Sequence, residues 1–153
     1  MAKKTINSIV IKIGSSSLTT PQGKLDPKNL KKIVSSVAGL VKAKKQVVIV
    51  SSGAIVCGAE KLGLGKPKTI PEKQAAAAVG QSTLMRQYEK AFEKYSIHTG
   101  QILLTRDTLN PNAQHCIRTL LKEGVVPIVN ENDTVAVDEI KIGDNDNLAA
   151  LTA

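Results

Sequence analysis

The chain has 153 residues, 21 Lys and Arg against 13 Asp and Glu, a formal charge of +8 and 42% hydrophobic residues. That is one ordinary domain or a piece of one, with enough apolar material for a core, which excludes wholesale disorder. With one Phe, two Tyr and no Trp, nucleobases find few rings to stack on, so nucleic acid is not the expected partner despite the positive charge.

The β-rich run Ile6 to Ile13 opens at once into Gly14-Ser-Ser-Ser17 and predicts a strand followed by a small-residue turn. Asp26-Pro27 then starts a helix. Asp caps it, Pro suits the first turn, and Leu30, Ile33, Val34, Val37, Leu40 and Val41 recur at helical spacing up to Lys42. Val47 to Val50 is a continuous apolar run, as expected for a strand covered on both faces, and it ends in Ser51-Ser52-Gly53 before a helix through Leu62. Residues 63 to 71 read as a loop. Pro71 begins an Ala-rich helix reaching about Tyr95, followed by a strand at 102–104, a helix from Pro111 to Glu123 and a strand at 125–129. Asp144 to Ala153 reads as the start of a helix without a finishing signal, so the chain is expected to be truncated, a fragment or half of a larger fold.

Strands alternate with helices throughout. The expected fold is therefore α/β, a three-layer αβα sandwich with a mainly parallel sheet. No apolar run approaches the ~20 residues of a membrane span and the opening residues are too short for a signal-peptide core, so no membrane is involved and a cytoplasmic chain is expected. Cys57 and Cys116 lack metal-ligand spacing and are expected to be buried as small apolar residues. His98 and His115 belong to no triad or metal pattern, and no metal site is expected.

In parallel sheets ligands bind beyond the carboxyl ends of the strands. Three such places carry suitable residues. At Lys12-Ile-Gly14-Ser15 a lysine precedes backbone that a phosphate can approach closely; alone, a plain strand-to-loop turn with Lys12 solvated is the better reading. At Ser51-Ser52-Gly53-Ala54 the free N–H groups of a helix start suit an anion, and a serine N-cap without ligand explains the stretch about equally well. Neither stretch matches a P-loop or a dinucleotide fingerprint.

The third place is the most telling. From Glu131 to Asp146 the chain gathers six of its thirteen acids against one base, Lys141, a window of −5 inside a protein whose remainder is +13. Acids gathered there can hold an ammonium group, a metal through phosphate, or phosphate-binding lysines. Asp138 and Glu139 read as solvated loop; Asp133, Asp144 and Asp146, set among Asn and Gly, are better candidates. Together the three places describe a site for a phosphate and a zwitterion, a kinase-like combination.

The blocks Lys12 to Leu18, Val50 to Ile55, Gln74 to Gln81, Gln101 to Asp107, Pro127 to Asp133 and Gly143 to Leu148 resemble, in order, the amino-terminal half of the amino acid kinase family, in the branch that phosphorylates glutamate. The resemblance implies transfer of phosphate from ATP, with Mg²⁺, to the γ-carboxylate of L-glutamate, the first step towards proline, with proline as feedback inhibitor and a homo-oligomeric assembly. It implies that Lys12 contacts the transferred phosphate, with Gly14 and Ser15 in the phosphate-binding turn. Ser52, Gly53, Ala54, Asp133 and Asn145 would hold glutamate, and Asp146 would orient the phosphate-binding lysines. Residues 1–153 would be the amino-acid-binding part only, with the nucleotide-binding part and the PUA domain of many members absent, and the isolated chain catalytically incomplete. The alternatives are a relative acting on aspartate, acetylglutamate, carbamate or UMP, and a non-catalytic module that binds RNA, glutamate or proline.

Overall fold

The computed structural model describes residues 7–105, 110–135 and 145–152. Strand β1 (Ser8–Ile13) leads through a short helix α1 (Ser15–Leu18) to α2 (Pro27–Lys42) and β2 (Gln46–Ser51). Helices α3 (Ala54–Lys61) and α4 (Ile70–Glu93) follow, then β3 (Thr99–Leu104), α5 (Pro111–Lys122), β4 (Val126–Glu131) and α6 (Asn145–Thr152). The four-stranded sheet has the order β1-β2-β4-β3, and β1 with β2, β2 with β4, and β3 with β4 all pair in parallel.

Helix starts follow from local chemistry. The Asp26 carboxylate accepts from the Lys28 and Asn29 amides at 2.8 and 3.2 Å and satisfies two of the donors a helix leaves over. Thr69 and Glu72 form a reciprocal capping box in front of α4, with Pro71 in the first turn. Those backbone N–H groups hold the exposed Glu72 carboxyl below its ordinary range. Asn110 caps α5 in the same way.

Strand order dictates the layers. Connections β1 to β2 and β2 to β3 run in one direction across the sheet and β3 to β4 runs back, so right-handed crossovers must put α5 opposite α2 and α4. The two cores match. Val47 and Ile49 of β2 join Leu30, Val34, Leu84 and Phe92 on one face, while Val48 and Val50 join Ile102, Ile117 and Val129 on the other. Both central strands are buried almost throughout, hence their unbroken apolar runs. The αβα reading therefore holds. Two local readings change: Gly14 to Ser17 is the start of helix α1 rather than a plain turn, and Cys116 is exposed on α5 while Cys57 is buried. A 12-residue amphipathic helix that packs one stripe has room for Cys only on its wet side here.

Helix α3 lies on α4 through backbone. A Cβ on Gly58 would come within 1.7 Å of the Ala76 carbonyl oxygen, and one on Gly80 within 1.7 Å of the Ala54 carbonyl oxygen. Neither neighbour is a side chain that could turn away. Gly80→Ala is therefore expected to force the helices apart at a cost of at least ~2 kcal/mol, lowering Tm by ~5 °C. Thermal denaturation followed by circular dichroism checks this; an unchanged Tm would show that the contact is not tight.

Candidate functional site

The chain leaves β2 towards one face of the sheet, through α3 and α4, and leaves the adjacent β4 towards the other, where α6 packs through Ala149. A crevice must open between two such strand ends. It is a cavity of about 750 Å³, and its wall includes Ser15, Ser52, Gly53, Ala54, Asp133 and Asn145. Six of the residues singled out in the sequence thus share one hollow. Lys12, Gly14 and Asp146 are not on its wall; they sit beside it, joined to it through their chain neighbours Ser15 and Asn145. Asp144, Asp138, Glu139 and Lys141 lie outside the described residues.

Beneath the cavity runs a chain of side-chain amides. Asn145 donates through Nδ2 to Ser52 Oγ at 2.8 Å and to Asn130 Oδ1 at 3.2 Å. Asn130 donates to Gln81 Oε1 at 2.9 Å, and Gln81 reaches Gln101 at 3.4 Å. Both hydrogens of the Asn145 amide are used while its oxygen, Oδ1, is buried without a donor. A buried acceptor left empty costs about 1–3 kcal/mol, so a donor belongs there. Ser52, by accepting from Asn145, keeps its own hydroxyl hydrogen free to donate into the cavity. Next to it, Ser51 Oγ shares a 2.8 Å bond with the buried Tyr88 hydroxyl, whose pKa burial raises.

Helix α3 starts without a side-chain cap. The cap position belongs to Gly53 and not to Ser52, because the sharp exit from β2 needs φ of +112°, which a side chain would strain. The first-turn N–H groups therefore meet the cavity, whose wall continues into Ile55 and Val56. Cys57 on the same helix is no nucleophile: burial, with Glu60 nearby, pushes its thiol up to about 11. Asp133 also lines the cavity, and burial raises its carboxyl above the ordinary range.

Beside the cavity Lys12 Nζ meets Asp146 Oδ1 at 2.9 Å, with the two side chains 35% and 71% exposed. A pair so wet adds little stability, and its worth is positional. Gly14 lies next to this ammonium, where a Cβ would make only ordinary contact with Nζ at 3.6 Å. Phosphate oxygens fit such a place: one fixed cation, small residues and room for backbone to approach. For Mg²⁺ the described residues offer no group of three acidic, His or Cys side chains. An Mg²⁺ held mainly by phosphates and water needs none.

Sequence reasoning missed Asn130, Gln81 and the rim. Asn130 had a signal, being the amide that ends an otherwise apolar buried strand. Gln81 had a fainter one, an amide on an Ala-rich helix face. Residues Gln22 to Lys24 and Gly63 to Lys73 line the cavity in part but read as ordinary loop and helix start.

A parallel α/β sheet with a cavity at its switch point, a carboxylate and an amide on the cavity wall and a lysine beside it suits a small-molecule phosphotransferase. The chain matches the amino acid kinase family over residues 7–153 and belongs to it. It is 53% identical over 154 residues to the glutamate 5-kinase of Citrifermentans bemidjiense, covering 97% of this chain and 41% of that protein. It is 50% identical over 159 residues to the glutamate 5-kinase of Moorella thermoacetica, covering 100% and 42%. The chain thus spans about two fifths of the length of these relatives. Among solved structures, Giardia carbamate kinase superposes with a TM-score of 0.58 at 18% identity, over 81% of this chain and 58% of that one. UMP kinase from Ureaplasma parvum gives 0.52 at 19%, over 80% and 55%, and both likenesses concern the fold. No helix among the described residues is long and apolar enough to cross a membrane.

The raised Asp133 carboxyl has a measurable sign. A carboxyl whose pKa is higher folded than unfolded favours the folded state most when protonated, and that contribution disappears as pH rises through the folded value. At neutral pH its charge therefore works against folding. Asp133→Asn is expected to raise Tm at pH 7, with the gain shrinking as pH falls towards about 4, the ordinary carboxyl range. Thermal melts of both proteins across that interval check it, and a lower Tm for the variant at pH 7 would contradict the sign.

Proposed function

We propose that residues 1–153 are the amino-acid-binding, amino-terminal part of a kinase that transfers phosphate from ATP to the γ-carboxylate of L-glutamate, giving L-glutamyl 5-phosphate on the route to proline. One observation carries the reading: the consecutive residues Asn145 and Asp146 tie together the two ends of the site. Asn145 holds the Ser52 and Asn130 network, and Asp146 holds Lys12. A residue pair of that kind fixes the distance between an amino-acid end and a phosphate end, which is what in-line transfer between two bound groups requires.

Each end suits its half of the substrate. The α-ammonium of glutamate is the donor that the empty Asn145 Oδ1 lacks, and Asp133, ionised against the cost of its burial, supplies the counter-charge. Ser52, Gly53 and Ala54 form the wall along which the side chain lies. At the other end Lys12, with Gly14 and Ser15, neutralises charge gathering on the transferred phosphoryl oxygens, and Asp146 keeps that ammonium aimed. The γ-carboxylate is ionised at neutral pH and attacks without a general base, in keeping with a site that offers no His or Cys for the purpose. ATP and its Mg²⁺, when bound, supply the phosphoryl group and further charge neutralisation. The adenine and ribose surfaces and a second phosphate-binding lysine are expected from outside residues 1–153, as is complete turnover.

Proline carries the same α-ammonium and α-carboxylate, so it fits the amino-acid end as an inhibitor. Assembly into homo-oligomers and a cytoplasmic location complete the proposal.

With the nucleotide-binding part present, Lys12→Ala is expected to lower kcat by ~100-fold or more while the KM for glutamate stays nearly constant, because the ammonium acts on charge that develops only during transfer. Formation of γ-glutamyl hydroxamate measures this, with aspartate as the control acceptor. A large rise in KM with kcat intact would remove Lys12 from that role, and faster turnover of aspartate would overturn the choice of substrate.

A further inference from the structure

Glutamate brings three charges, and the residues assigned so far answer two of them. Lys12 lies at the γ-carboxylate end, and Asp133 with Asn145 Oδ1 takes the ammonium. The α-carboxylate remains. It shares a carbon with the ammonium, so anchoring one in the cavity commits the other to the same wall, and an unpaired carboxylate there would be costly.

Three further lysines line the cavity: Lys24, Lys66 and Lys73. Lys24 is exposed and lies 4.0 Å from Glu60, and Lys66 is exposed in the loop before α4. Lys73 differs from both. It is half-buried and has no ion-pair partner among the described residues. Its backbone is held in the first turns of α4 by the Thr69–Glu72 capping box and Pro71, so its stem starts from a rigid point. It also shares a face of α4 with Ala77 and Gln81, at steps of four residues, and Gln81 accepts the hydrogen bond that positions Asn130 beneath Asn145. The amino end of α3, whose first residues also line the cavity, lacks a side-chain cap, so its N–H groups are free to meet an anion. The Asn145 oxygen, buried without a donor in a residue that also lines the cavity, is a second polar group there left unanswered.

We propose that Lys73 binds the α-carboxylate of the substrate against the amino end of α3, and so makes the site specific for an α-amino acid over a plain amine or acid. The inference rests on the glutamate reading above. It makes Lys73 a substrate-binding residue that acts on affinity, remote from the phosphoryl group.

Calorimetric titration of the full chain tests it with two ligands, L-glutamate and γ-aminobutyrate, the same molecule without its α-carboxylate. Lys73→Met is expected to weaken glutamate binding by ~10- to 100-fold, the worth of a charge-assisted hydrogen bond, and to leave γ-aminobutyrate binding unchanged. Lys73→Arg, which keeps the charge, is expected to retain most of the affinity, and a circular-dichroism melt establishes that both variants fold. Unchanged glutamate affinity in a folded Lys73→Met variant overturns the assignment of Lys73 while leaving the glutamate reading standing. Equal loss of both ligands also overturns it, since Lys73 would then act on something other than the α-carboxylate. No glutamate binding by the unsubstituted chain overturns both readings together.

Discussion

The amide of Asn145 is the joint on which this molecule depends. Two strands that send the chain to opposite faces leave a gap between their ends, and a gap lined with backbone is unstable unless its polar groups are answered. One side chain answers both sides, donating to Ser52 beyond β2 and to Asn130 at the end of β4. Because Asn130 is in turn held by Gln81, the same joint reaches α4, and through the next residue, Asp146, it reaches Lys12 at the end of β1. Three strands and two helices are thereby registered against one another at the cavity. Such a network is rigid when complete, and it is incomplete by one atom, the Asn145 oxygen. Ligand and scaffold finish each other.

Electrostatics gives the site a direction. The chain is strongly basic, yet six of its thirteen acids fall between Glu131 and Asp146. Lys12 at the end of β1 pairs with Asp146 beside the cavity, while Asp133 and Asn145 lie on the cavity wall with Ser52, Gly53 and Ala54. On the proposed reading, such an arrangement orients a molecule with an anionic tip and a zwitterionic base. Single-sign clefts recruit ligands but do not orient them; a bipolar one does both. Small residues between the poles matter equally, because Gly14, Gly53 and Ala54 leave the ligand next to backbone donors.

Much of this was legible in the sequence. The alternation of strands and helices follows from the continuous apolar run at Val47 to Val50, the strand read at 125–129 and the Asp26 cap, because burial and orphaned donors leave local marks. Ser52 was marked by small residues following a strand end and Asp133 by the acids gathered after the last strand, and both line the cavity. Strand order was not, since nothing local says that β4 inserts between β2 and β3. Contacts that cross that insertion were hidden with it: Gln81 with Asn130 joins positions far apart in the chain, and Lys73 became visible only when α4 was laid against the cavity. Cys116 went the other way, because a thiol's preference for burial is a tendency of the residue and the helix face decides.

The backbone contact between α3 and α4 has a consequence for how such a site can change over evolutionary time. Where side chains meet, a wall can be carved or thickened by single substitutions; where peptide planes meet through Gly58 and Gly80, there is nothing left to trim and no space to add. That flank of the hollow is inelastic, so adaptation to a shorter or bulkier guest has to be negotiated at the polar rim, by residues such as those from Gly63 to Lys73. Divergence among such proteins should accordingly write itself into the rim while the glycine seam stays fixed.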